Sequence, residues 1–388
     1  MLMGKRIYLD YAASTPLDPR VEKVFVQNLK LFGNPGSLHS FGQEALAIID
    51  EARLKIANFF GAHSEDVIFT GSATETNNLA LSGIVKFFRQ QKKLENLHII
   101  SSQIEHDSVL KTLKDLEAEG VAVTYLPVSS DGRVRVQDVS SFLKRETVLV
   151  SIMAVNNETG VIQPIEDIGR IIRNFRRVNN SIFPLFHTDA VQAIQSLDCQ
   201  LDHLGVDMLT LSGHKIYSPK GVAGLILKRG TPLAPIILGG GQEGNRRSGT
   251  ENAAAITALA EAINLIRENK KEETNRLEKL RKKFIEGIMK SWPKAILNSG
   301  ASKTVPHIIN VRFPGQKSDE LLVQLDLAGV AISAGSACSA RALEPSRVLL
   351  AMGLSDDQTR ASVRFSLGRF TTEKEIEEVL KILKKVIQ

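Results

Sequence analysis

The sequence predicts an α/β fold: a mostly parallel sheet covered by helices, with a smaller α+β domain. Two observations predict it. From about residue 40 to 230, seven short apolar runs alternate with helix-length segments, as expected of strands joined by crossover helices. After the Gly-rich stretch LGGGQEGNRRSGTEN the alternation stops and a long charged helical segment begins. The 388 residues suffice for two such domains.

In chain order, Phe41, Ala45, Ile48, Ile49, Ala52, Ile56, Phe59 and Phe60 share one helical face, and Gly61 ends that helix. The seven runs are Val67–Thr70, Leu97–Ser101, Val121–Val128, Val148–Val155, Phe183–His187, Met208–Leu211 and Val222–Leu227. Helix-length segments such as Asn77–Gln91 and Glu166–Arg177 lie between them. Beyond the Gly-rich stretch the spacing predicts a helix from Ala253 to Met289 and a strand over His307–Phe313. A small-residue loop around Cys338, a strand over Ser362–Leu367 and a helix from Glu373 complete the chain. The expected division is a large domain over 15–256 and a small one built from 1–14 and 257–388. No internal repeat or low-complexity segment interrupts it.

Composition narrows the function. Only Cys199 and Cys338 are cysteines, which excludes a disulfide framework and favours a reducing compartment. MLMGKRIYLDYAAS has no apolar signal core, and no run of about 18 apolar residues exists, so a cytoplasmic protein is expected. The net charge of +6 is scattered. Its local runs, Arg173–Arg177 and KLRKKF, fall on helices and read as solvated faces, so no nucleic-acid partner is expected.

The chemistry begins at Leu209–Gly221, where an apolar strand gives way to Ser212, His214 and Lys215 before a Pro/Gly turn. A lysine at a buried strand end must be paired, exposed or chemically used. One use is a Schiff base with an aldehyde cofactor such as pyridoxal phosphate, which sets further requirements. A carboxylate must hold the ring nitrogen's proton, and Asp189 stands at a strand end. A helix N-terminus must bind the phosphate, and Gly71–Thr74 joins a strand to a helix, with Ser212 and His214 as further donors. His106 follows a strand and could stack on the ring; Asn157 and Gln192 could bond its oxygen. Singly, these residues have ordinary uses as helix caps, turn residues or a surface histidine. Jointly, five strands of one parallel sheet each end in a group that such a cofactor needs.

With these residues in place, the chain resembles the cysteine desulfurases of the NifS/IscS type, class V aminotransferase relatives with the fold-type I architecture of pyridoxal-phosphate enzymes. The resemblance runs through YLDYAASTPLDPRV, FGNPGSLHSFG, GSATETNN, EHDSVL, NNETGVIQPI, HTDAVQ, SGHKIYSPKG, RRSGT, SAGSACSARALEPSRVLLAMG and SVRFSLGRFTTEKEI. It implies that Lys215 carries pyridoxal 5'-phosphate, Asp189 pairs with the pyridinium, and His106 stacks on the ring and shuttles protons. Ala73, Thr74, Ser212 and His214 would hold the phosphate, and Asn157 and Gln192 would lie near the ring oxygen. Thr250 would reach the cofactor of a neighbouring subunit in a homodimer. Arg364 would clamp the substrate carboxylate, as its planar fork suits, although an ion pair with another part of the chain is the alternative. Asn34 and His39 match a substrate-side loop. The chain departs from the family pattern at GSATE, at NPGSLH and at QEGNRRSGT, which lacks an arginine after Gln-Glu.

Cys338 selects the reaction. It lies among Gly335, Ser336, Ala337, Ser339 and Ala340, side chains small enough to predict a mobile loop. Cys199 reads instead as a buried core thiol. The resemblance implies that L-cysteine displaces Lys215 and that Lys215 or His106 takes the Cα proton. The Cys338 thiolate would then attack the substrate sulfur, release alanine and keep a persulfide for an acceptor such as an iron–sulfur scaffold, with tRNA thiolation another outlet. A selenocysteine lyase or another aminotransferase of this fold is the nearest alternative. A non-catalytic sulfur-delivery or RNA-associated scaffold is the alternative of another class.

Overall fold

The computed structural model describes residues 6–91, 96–335 and 345–387. Its main sheet has seven strands, in the order Val67–Thr70, Ala223–Leu227, Met208–Ser212, Leu185–Asp189, Thr147–Ser151, His98–Ser102 and Ala122–Leu126. Six run the same way, and Ala223–Leu227 runs against both its neighbours. That reversal follows from chain length. The link from Ser212 to Ala223 holds no crossover helix, and a parallel return needs a dozen or more residues. Every strand except the edge strand Ala122–Leu126 is buried throughout, which explains why the sequence shows continuous apolar runs and not alternation.

Helices at Ala73–Gln91, Asp107–Ala118 and Ile165–Val178 supply the crossovers. The helix over Ser40–Phe60 stops at Gly61, whose φ of +66° suits a residue without Cβ. It packs against the 39-residue helix Ala253–Ser291.

That long helix serves two cores. Ala253, Ile256, Leu259, Ile263 and Ile266 belong to the core under the main sheet. Leu277, Leu280, Phe284 and Ile288 belong to a second core with Ile309, Val311, Val363 and Phe365. The second core covers an antiparallel sheet of Ile296–Leu297, Ile308–Arg312 and Ser362–Ser366, together with the helix Glu373–Val386. A reciprocal capping box between Thr372 and Glu375 starts that last helix and contributes about 1 kcal/mol. The N-terminal chain also crosses over, with Leu9 in the second core and Ala12 in the first. We therefore propose that the two domains share the long helix, with the change of core between Ile266 and Leu277, and not near residue 256.

Candidate active site

The carboxyl ends of the parallel strands, the N-terminal segment and the strand Ser362–Ser366 enclose a cavity of about 190 Å³. It is lined by Ser72, Ala73, Thr74, His106, Asn157, Asp189, Gln192, Ser212, His214, Lys215 and Arg364, with Ala12, Ala13, Met153, Val155 and Val191. Ten residues singled out from the sequence thus meet on one surface.

Lys215 ends a tight 3-10 turn, Gly213–Lys215, directly after its strand. A Cβ on Gly213 would stand 2.9 Å from the Val222 carbonyl, so only glycine lets the turn close this tightly. The turn is tied to the N-terminal segment by Thr15, whose backbone N–H donates to the His214 carbonyl at 2.9 Å. The Lys215 Nζ donates to the Ala12 and Ala13 carbonyls at 2.6 and 2.7 Å. Gln192 Nε2 donates to the same Ala12 oxygen at 3.0 Å. Burial, then Lys215 and Lys220, push the neighbouring His214 imidazolium down to about 4, so this ring is neutral at pH 7.

Asp189 is the last residue of its strand and is buried. Its Oδ1 accepts from the Val191 N–H at 3.0 Å and its Oδ2 from Asn77 Nδ2 at 2.9 Å. His106 caps the helix Asp107–Ala118, with Nδ1 accepting from the Ser108 N–H at 3.1 Å. One residue earlier, Glu105 is fully buried and accepts from Ser102 and the Met153 N–H. Burial raises this carboxyl to about 8. Ser72–Thr74 open the helix Ala73–Gln91, whose first N–H groups have no acceptor within the helix. They form a wall suited to an oxyanion.

Arg364 is 1% exposed, and its guanidinium already has partners. Nη1 donates to the Asn157 carbonyl at 2.9 Å and Nη2 to Asp10 Oδ1 at 2.8 Å, while Nε is buried without a partner among the described residues. The ion pair and the cavity lining are therefore both present. Asn157 is presented by a turn that Asn156 builds, its Oδ1 accepting from the Glu158 and Thr159 N–H groups at 3.0 and 2.9 Å.

Cys338 lies outside the described residues. The chain on either side of 336–344 is anchored at this site. Ser333 pairs with Arg364 through two backbone hydrogen bonds, and Ser346 donates to the buried Glu158 carboxylate. Arg347 grips the His106 loop through the Gln103 and Glu105 carbonyls and Asp107. Cys199, by contrast, is buried in the main core, where desolvation pushes its thiol up to about 12.

Three other expectations fall elsewhere. Asn34 sits on an exposed loop, where its Oδ1 accepts from the Gly36 N–H at 2.9 Å. His39 caps the helix Ser40–Phe60. Thr250 is exposed and does not line the cavity of its own chain. Sequence reasoning missed Asp10, Asn77, Glu105, Ser108 and Glu158, all inside or beside segments it had singled out.

The sequence matches the family described as aminotransferase class-V over residues 7–379. It is 42% identical over 387 residues to the cysteine desulfurase IscS of Dictyoglomus turgidum, covering 100% of this chain and 95% of that protein. It is 40% identical over 375 residues to the human cysteine desulfurase, covering 96% of this chain and 79% of that protein. Among solved structures, a NifS-like protein superposes with a TM-score of 0.90 at 34% identity, over 98% of this chain and 99% of its own. SspA in complex with cysteine superposes with a TM-score of 0.81 at 36% identity, over 94% and 100%.

Proposed function

We propose a mechanism for this chain from the premise that it belongs to the class-V aminotransferase family and is a cysteine desulfurase of the IscS/NifS type. It converts L-cysteine to L-alanine and passes the sulfur on. The observation that carries the mechanism is the meeting of an amine, a carboxylate, an imidazole and a helix N-terminus in one cavity.

This donor set fits pyridoxal 5'-phosphate. Asp189 would hold a protonated ring nitrogen, its carboxylate fixed in place by Asn77 Nδ2 and the Val191 N–H. Ala73, Thr74, Ser212 and His214 would hold the phosphate, His106 would stack on the ring, Asn157 and Gln192 would reach its oxygen, and Lys215 would anchor the aldehyde. When bound, the group supplies the electron sink that stabilises negative charge at the substrate Cα.

The chain's own groups do the rest. Arg364 receives the substrate carboxylate, beside or in place of Asp10. Lys215 Nζ moves the Cα proton, and the Ala12 and Ala13 carbonyls aim it. The Cys338 thiolate forms a sulfur–sulfur bond as the substrate carbon–sulfur bond breaks; protons return to carbon, alanine leaves and Cys338 keeps a persulfide. Of the two cysteines, Cys199 is unsuited to this because burial keeps it protonated. Thr250, exposed on its own chain, would serve the phosphate site of a second copy in a homodimer, with Asn34 on the substrate side. The acceptor would be an iron–sulfur scaffold protein in the cytoplasm.

Incubation of the protein with L-cysteine and a reductant should yield alanine and sulfide in equal amounts. Without reductant, mass spectrometry should find one added sulfur on the peptide containing Cys338. Cys338→Ala should abolish both. Full alanine production by Cys338→Ala would overturn the persulfide step, and activity confined to selenocysteine would reassign the substrate.

A further inference from the structure

Asn77 and Ser108 lie outside the residues assigned above, yet they join two of them. Asn77 is completely buried, and its Nδ2 donates to Asp189 Oδ2 at 2.9 Å and to Ser108 Oγ at 2.8 Å. Its Oδ1 is buried with no partner among the described residues. Turning the amide over would set that oxygen against the Asp189 carboxylate, which only accepts, so the carboxylate fixes the amide's orientation. Ser108 Oγ spends a lone pair on the Asn77 hydrogen. A hydroxyl keeps a second lone pair, so its 2.9 Å contact with His106 Nδ1 could by itself run either way. The Ser108 backbone N–H points at the same nitrogen, which marks Nδ1 as an acceptor and so directs the hydroxyl hydrogen at it. Two donors converge on Nδ1, and a proton there would oppose both.

We infer that Asn77 and Ser108 are positioning residues that transmit the direction of hydrogen bonding from Asp189 to His106 and hold its imidazole as the neutral Nε2–H tautomer. In that state His106 can stack and donate from Nε2, but Nδ1 is closed to an incoming proton. The Cα proton is then left to Lys215, which decides between the two bases the sequence offered. This conclusion rests on the proposed roles of Asp189 and His106; the tautomer itself does not.

Long-range proton–nitrogen NMR correlation on the histidine-labelled holoenzyme, without substrate, reads the tautomer directly, with the His106 signals identified by their loss in His106→Gln. A single Nε2–H form with an unprotonated, hydrogen-bonded Nδ1 is expected. Ser108→Ala should move the Nδ1 resonance towards that of an unbonded imine nitrogen, and Ser108→Thr should restore it. Asn77→Asp puts an acceptor where the chain needs a donor, so a proton should move onto Nδ1. A wild-type Nδ1 that carries the proton, or an Nδ1 resonance unmoved in Ser108→Ala, overturns the inference. Because the measurement needs no turnover, its failure leaves the desulfurase reading intact, and a failure to form alanine leaves the tautomer intact.

Discussion

Replacing Asp10 with Asn should weaken the resting protein while making a substrate-like carboxylate more stabilising. Arg364 is 1% exposed, Asp10 is 17% exposed, and their 2.8 Å contact is the charge pairing the guanidinium has within the described residues. Removing one partner of a buried ion pair leaves the other charge uncompensated, at a cost of 3–5 kcal/mol. Partial exposure of Asp10 puts this case near the low end, about 3 kcal/mol. Unfolding entropy of about 2.1 cal/mol/K per residue gives about 0.8 kcal/mol/K for a chain of this length, so the melting temperature should fall by about 4 °C. An amino-acid carboxylate that reaches Arg364 would replace the lost charge. Saturating L-alanine should therefore raise the melting temperature of Asp10→Asn more than that of wild type in scanning calorimetry. A variant that melts within about 1 °C of wild type, or gains no more from alanine, would refute the argument that Arg364 is shared between Asp10 and the substrate.

Other outcomes follow from the same geometry. Lys215→Ala should slow alanine formation by about 10²–10⁴-fold through loss of the proton carrier, measured in single turnover. Gly213→Ala should dislodge the Lys215 turn against the Val222 carbonyl, read as cofactor lost on gel filtration while helical circular dichroism is kept. Glu105, raised by burial to about 8, holds its proton in the folded state at pH values where the unfolded chain has released it. Its folded state is thus favoured below about pH 4.5, and stability is lost as pH rises towards 8. Glu105→Gln should flatten that fall in urea titrations at pH 5, 6.5 and 8, and an unchanged slope would contradict it.

Strand ends were the legible part of this site. A polar group that directly follows a buried apolar run is visible locally, which is how Lys215, Asp189, His106, Asn157 and Thr74 could be found. Partners across the chain were not. Asp10 stands in an ordinary YLDYAAS segment, and nothing local announces an arginine 354 positions away. Asn77 and Ser108 lie inside quoted motifs, but their meaning depends on the packing of two helices. The reversed strand Ala223–Leu227 was readable from the short link before it. The shared helix was not, because the polar stretch Arg267–Arg276 between its two apolar segments reads as an exposed part of one continuous helix, and nothing local shows that the core beneath it changes.

The contact between Asp10 and Arg364 also has a consequence for biogenesis. At 5–20 residues per second, a ribosome needs about 20–70 s after making Asp10 before Arg364 exists. During that interval most of the main sheet has already been synthesised, but the N-terminal segment still lacks Ser366 and Arg364, two of the groups that hold it over Lys215. The nascent chain thus carries Lys215, the proposed coenzyme anchor, well before Arg364, the proposed grip on the amino acid, has been made.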